Sequence, residues 1–119
     1  MHVILSEADC SALLAAPLAV LYKHSPICAT SGFAYQEMLA FRRASSVPVY
    51  LVDVVKQRPL SRALAERLGI VHASPQAIIL KGGVPAWHRS HLDIEAEAMR
   101  RVVSHLSEAG PVGEGAAGA

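Results

Sequence analysis

Two cysteines, Cys10 and Cys28, are the thiols of this 119-residue chain, and their surroundings differ sharply. Cys28 stands in Tyr22-Lys-His-Ser-Pro-Ile-Cys-Ala-Thr-Ser31, between an apolar run and a helical pattern. At the start of a helix, unsatisfied backbone N–H groups and the helix macrodipole favour an anion, and Lys23 or His24 would add positive charge. Thiolate should therefore form more readily at Cys28 than at a free cysteine. A free cysteine can also serve as a small buried hydrophobe. The polar neighbours Ser25, Thr30 and Ser31 and the strand-to-helix location suit an exposed nucleophile better.

Ser31 lies three residues past Cys28, where a dithiol redox motif would carry its second cysteine. A serine cannot close the internal disulfide that releases a trapped mixed disulfide, so a second thiol has to come from elsewhere. The C-x-x-S pattern thus points to a monothiol mechanism. Cys10 falls with Leu13 and Leu14 on one apolar helical face, which makes it a core residue first and a resolving thiol second. His88 and His91 invite a metal site with Cys28 as third ligand. With no carboxylate or second thiol at ligand spacing, the expectation is no metal, and the two imidazoles are assigned to packing, the hairpin end or a binding surface.

The elements that must position Cys28 follow from periodicity. His2 to Leu5 reads as a short edge strand, and Ser6 as the cap of a helix from Glu7 to about Ala15, with Glu7 and Asp9 in its first turn. Pro17 breaks it, and Leu18 to Tyr22 is a continuous apolar run suited to a central strand. A helix is expected from about Ala29 to Arg43, with Phe33, Met38, Leu39 and Phe41 packing inward and Arg42 and Arg43 at its negative end. Val47 to Val55 resumes strand character. Pro59 and Leu60 open a third helix that Gly69 stops. Gln76 to Lys81 is a strand, Gly82-Gly83 a hairpin turn, and Val84 to Trp87 begins the return strand. Asp93 is expected to cap a last helix to about Leu106, lined by Ile94, Ala98, Met99, Val102 and Leu106.

The order βαβαβαββα predicts an α/β, thioredoxin-like domain over residues 1–108, with a central mixed sheet flanked by helices on both faces and a flexible Gly/Ala-rich tail over 109–119. In that fold a cis-proline faces the active cysteine, which assigns Ser74-Pro75 to the cis form. Backbone groups beside it would pair with an extended segment or a thiol-bearing ligand. Apolar residues make up 52% of the chain, and eleven Lys and Arg against ten Asp and Glu leave a net charge of +1. Such a balance provides a core but no field to recruit nucleic acid or an anionic membrane. The longest apolar stretch, Ala12 to Tyr22, is too short to span a bilayer, and Glu7 and Asp9 sit where a signal peptide would want positive charge. These features read as cytoplasmic, where a structural disulfide is not expected.

Tyr22-Lys-His-Ser with Cys28 and Ser31, then His72-Ala-Ser-Pro-Gln76, then Gly82-Gly-Val-Pro-Ala-Trp-His-Arg-Ser-His-Leu-Asp-Ile94, resemble the monothiol bacilliredoxin family, also called YtxJ-like proteins. The resemblance spans nearly the whole chain except the tail. It implies that Cys28 attacks mixed disulfides between bacillithiol and cytosolic proteins, frees the protein thiol and takes the small thiol onto itself. Bacillithiol would then be a co-substrate, with no cofactor tightly bound. Ser31 and His24 would assist Cys28, and Lys23, Ser74, Pro75 and Trp87 would form the substrate surface. Ala29 follows the cysteine where members often carry proline, which bears on acidity and access. Competing readings are a peroxide-reducing protein with Cys10 resolving, a non-catalytic thioredoxin-like binding module, and a dimer holding an iron–sulfur centre through Cys28.

Overall fold

A computed structural model describes residues 1–109; the tail expected over 109–119 falls, from residue 110 onward, outside the described residues. The chain runs β1 (His2–Val3), α1 (Glu7–Ala15), β2 (Leu18–His24), α2 (Ser31–Ala44), β3 (Val49–Asp53), α3 (Arg58–Leu68), β4 (Gln76–Lys81), β5 (Val84–Ser90), a 3₁₀ turn (His91–Asp93) and α4 (Ala96–Ala109). The strands form one mixed sheet in the order β1-β3-β2-β4-β5. β3 is parallel to both β1 and β2, whereas β4 is antiparallel to β2 and β5. The expected α/β thioredoxin-like architecture is what forms.

Alternation along the central strands divides the core into two layers. Val20, Tyr22, Ala77 and Ile79 face α2 and α4, packing with Ala34, Met38, Phe41, Met99 and Val103. Ala19, Leu21, Ile78 and Leu80 face the other way, against Leu13 of α1 and Leu64 of α3. A strand buried on both faces reads as a continuous apolar run, which is why β2 carried that signature. At the α1 entrance, the Ser6 hydroxyl accepts from the Asp9 N–H at 3.3 Å while Asp9 Oδ2 accepts from the Ser6 N–H at 3.1 Å. This reciprocal capping box satisfies N–H groups that the helix itself leaves free.

Four expectations need correction. α2 begins at Ser31 rather than Ala29, so Cys28 lies in a turn three residues ahead of the helix instead of directly before it. Phe33 is 68% exposed, because the inward stripe is set by Ala34, Met38 and Phe41 and one residue of offset turns Phe33 about 100° away. Asp93 does not cap α4. It belongs to the 3₁₀ turn, Ile94 behind it is driven into the core, and the helix starts at Ala96, whose N–H donates to Glu37 Oε1 of α2 at 2.9 Å. The β3 strand is also shorter than expected, because Asp53 Oδ1 accepts from the N–H groups of Val55 and Lys56 and turns the chain away.

Gly82 and Gly83 make the β4–β5 turn with φ of 57° and 79°. At Gly83 a Cβ would lie 2.6 Å from the Leu14 carbonyl oxygen, whereas at Gly82 nothing stands within 4 Å. Left-handed backbone costs a residue with a Cβ about 1–2 kcal/mol. Gly82→Ala should therefore lose about 1 kcal/mol of stability in urea unfolding, and Gly83→Ala at least ~2 kcal/mol, since a backbone atom of α1 has to move as well. Equal losses would show that the close approach of the turn to α1 is unimportant.

Candidate active site

Cys28 sits in a tight turn between β2 and α2. Its N–H donates to the Ser25 carbonyl at 3.3 Å, and its own carbonyl accepts from the Ser31 N–H at 3.1 Å. The sulfur lies 3.2 Å from Thr30 Oγ1. Hydrogen bonds from the Thr30 hydroxyl and then the Thr30 N–H are the main causes that hold this thiol below the ordinary cysteine value, partial desolvation opposes them, and Ser31 adds a smaller contribution. Ser31 is buried, and among the described residues its hydroxyl makes no well-formed hydrogen bond, which fits its smaller share in stabilising the thiolate. The added charge expected from Lys23 or His24 is not among the causes, which are donors at the helix entrance.

Both of those residues are engaged elsewhere. His24 ends β2 with its Nδ1 3.2 Å from the Tyr22 hydroxyl and its ring stacked at a tilt on Tyr35, with centroids 5.4 Å apart. Burial, then Tyr35, then Cys28 push the Tyr22 phenol up, so it stays a neutral O–H. Tyr22 is a site residue that its apolar strand disguised as core. Lys23 is 0% exposed, and its Nζ lies 2.9 Å from His72 Nδ1. Burial brings its ammonium down from 10.5 to about 8. Among the described residues no carboxylate pairs with it. Lys23 thus reaches the surface only through His72, whose imidazole is pushed down by desolvation first and then by Lys23, Arg62 and Arg58.

The antiparallel register sets Lys23 opposite Gln76, so the end of β2 lies beside the start of β4. Ser74-Pro75, immediately before that strand, is a cis peptide as expected, and the Pro75 carbonyl accepts from the His91 N–H at 3.0 Å. An open pocket of about 460 Å³ lies on the same rim, its wall including Ser25, Ile27, Arg58, Ser61, His72 and Ser74.

The family model of the monothiol bacilliredoxin BrxC matches residues 5–99, a span that holds Cys28, Ser31, the cis-proline and the hairpin. The chain belongs to this family. A solved structure described as an oxidoreductase with a thioredoxin fold superposes with a TM-score of 0.80 at 25% identity, covering 86% of this chain and 92% of that one. Thioredoxin O2 from Arabidopsis thaliana in its oxidised state gives 0.68 at 24% identity over 88% and 92% of the two chains, and a Halobacterium salinarum thioredoxin variant gives 0.72 at 10% over 87% and 88%. The last two show the shared fold. Bacilliredoxin membership and the oxidoreductase fold together make this a thiol redox protein.

The remaining sequence candidates separate in space. Trp87 of β5 packs toward α4 with the Arg89 guanidinium 5.0 Å from its ring centre, and it lines a different hollow from the one beside Cys28. Cys10 is half-buried on α1, and burial, then Asp9 and Glu7, push its thiol up, which suits packing and not attack. No group of three or more His, Cys, Asp or Glu among the described residues is arranged to hold a metal. No helix among them is long and apolar enough to cross a membrane.

Two measurements check this geometry. Because Cys28 is lowered, its alkylation by iodoacetamide should reach half-maximal rate at a lower pH than that of Cys10, and Thr30→Val should move the Cys28 midpoint upward. A midpoint unchanged by Thr30→Val would remove the hydroxyl as the cause. For Lys23, the folded chain binds fewer protons than the unfolded one between about pH 8 and 10.5, so this group's contribution to stability rises with pH across that window. Below it, burying the charge costs about 3 kcal/mol. Lys23→Met should be more stable than the parent at pH 7 by about 1–3 kcal/mol, with the advantage shrinking as pH climbs past 8. A pH-independent difference would contradict the assignment.

Proposed function

We propose that this bacilliredoxin removes bacillithiol from protein mixed disulfides by monothiol exchange at Cys28. One observation carries the reading: a lowered thiol held by the Thr30 hydroxyl, with a serine at the position from which a second cysteine would resolve the product. The Cys28 thiolate attacks the sulfur of the small thiol. As the new disulfide forms, the old one breaks, and the target protein leaves as a thiolate that takes a proton from water. Cys28 is oxidised to the mixed disulfide as the target cysteine is reduced, so this half needs no outside oxidant or reductant. The loaded Cys28 is then released by a second thiol from solution or another protein.

Several features support the docking of a protein substrate beside that sulfur. Ile27, directly before Cys28, is 82% exposed, and Phe33 in the first turn of α2 is 68% exposed, so both leave apolar surface open to a partner. Ser74 and Pro75 border the same rim and offer backbone for an extended segment. The raised thiol of Cys10 weighs against a peroxidase in which Cys10 resolves.

Incubation with a bacillithiolated protein, followed by intact mass of both partners, tests the proposal. The adduct should move to Cys28, Cys10→Ala should leave the transfer intact, Cys28→Ala should abolish it, and Thr30→Val should slow it several-fold at pH 7. Persistence of the adduct on the substrate in the presence of the parent protein would reject the function.

A further inference from the structure

The pocket beside Cys28 is strongly cationic. Arg58 and Arg62 stand four residues apart on α3, hence on one helical face, and both line it with His72. Neither arginine pairs with a carboxylate among the described residues. Behind His72 lies Lys23, a buried cation with no anion of its own. The pocket also holds an orphaned group, because Ser61 is 1% exposed and its hydroxyl has no hydrogen-bond partner among the described residues. A buried hydroxyl without a partner, next to two unpaired guanidinium groups, marks a place where acceptor oxygens are missing.

We infer that this pocket binds the carboxylate-bearing part of a small thiol, holding it by Arg58 and Arg62 while its sulfur meets Cys28. Guanidinium groups match carboxylates in planar geometry, and the Ser61 hydroxyl can donate to a remaining oxygen. A volume of about 460 Å³ suits a small molecule, and its wall at Ile27 is the residue directly before Cys28. The pocket wall thus reaches the neighbour of the nucleophile in the chain. Lys23, though buried, adds positive potential from behind the wall and explains why an unpaired cation is kept in the central strand. The inference rests on the thiol-exchange reading above and names the chemical class of thiol exchanged.

The test follows Cys28 mixed-disulfide formation by intact mass with three symmetrical disulfides: dithiodipropionate, its uncharged diamide, and cystamine. Each rate is divided by that of 2-mercaptoethanol with the same disulfide, which removes intrinsic reactivity. The parent should prefer the dicarboxylate over the diamide by about tenfold, with cystamine slowest. Combined Arg58→Gln and Arg62→Gln should bring that preference to within about twofold, while Arg67→Gln, at the far end of α3, should retain it. Equal normalised rates in the parent, or a preference surviving in the double variant, would overturn the pocket and leave the exchange function standing. A glutamate-rich peptide disulfide that reacts faster than dithiodipropionate would also overturn it, in favour of an acidic protein segment. If Cys28 exchanged with none of these disulfides, the underlying reading would fall and the pocket assignment with it.

Discussion

Because β2 pairs with β3 along one edge and with β4 along the other, three chain segments are forced onto a single rim of the sheet. The turn carrying Cys28 leaves β2 there, the Asp53 turn leaves β3 there, and Ser74-Pro75 enters β4 there. Parallel pairing on one side and antiparallel on the other is what brings two strand exits and one strand entrance together. The nucleophile, the cis-proline and the cationic pocket are all consequences of that pairing. Burial of β2 on both faces fixes its register, since a slip of one residue would exchange the two core layers.

The electrostatics at this rim divide into two parts. Cys28 is acidified by hydroxyl and N–H donors within two or three residues of it, a local effect that salt screens little. No cationic side chain is among the causes that lower it. Arg58, Arg62 and His72 line a pocket instead, with Lys23 buried behind His72, whose imidazole is lowered by desolvation first and then by these three cations. A buried unpaired lysine is costly to a small domain. Its presence in the strand that carries the nucleophile is best understood as a cost tolerated for binding.

What the sequence made legible was written in local signals. The Ser6 capping box, the Gly69 stop, the Gly82-Gly83 turn and the bounds of α1 and β4 each depend on residues a few positions apart. Ser31 at the resolving position was legible for the same reason. The start of α4 was not, because its cap comes from Glu37, 59 residues away. Phe33 was misread because one helical offset separates core from solvent. Lys23 gave no sign that it was buried, since its partner His72 is brought to it only by the sheet. Arg58 and Arg62 carried no signal of their own in the sequence, since only the packing of α3 brings them to one pocket with Ser25 and Ile27 of the Cys28 turn.

The central claim is that Cys28 works without a partner thiol in its own chain. Loading Cys28 with bacillithiol, removing all free thiol, and following the intact mass tests this most directly. The account predicts one adduct per chain that persists until an external thiol is added, and prompt internal disulfide formation in a Ser31→Cys variant. Spontaneous loss of the adduct from the parent, with a Cys10–Cys28 disulfide in its place, would contradict it.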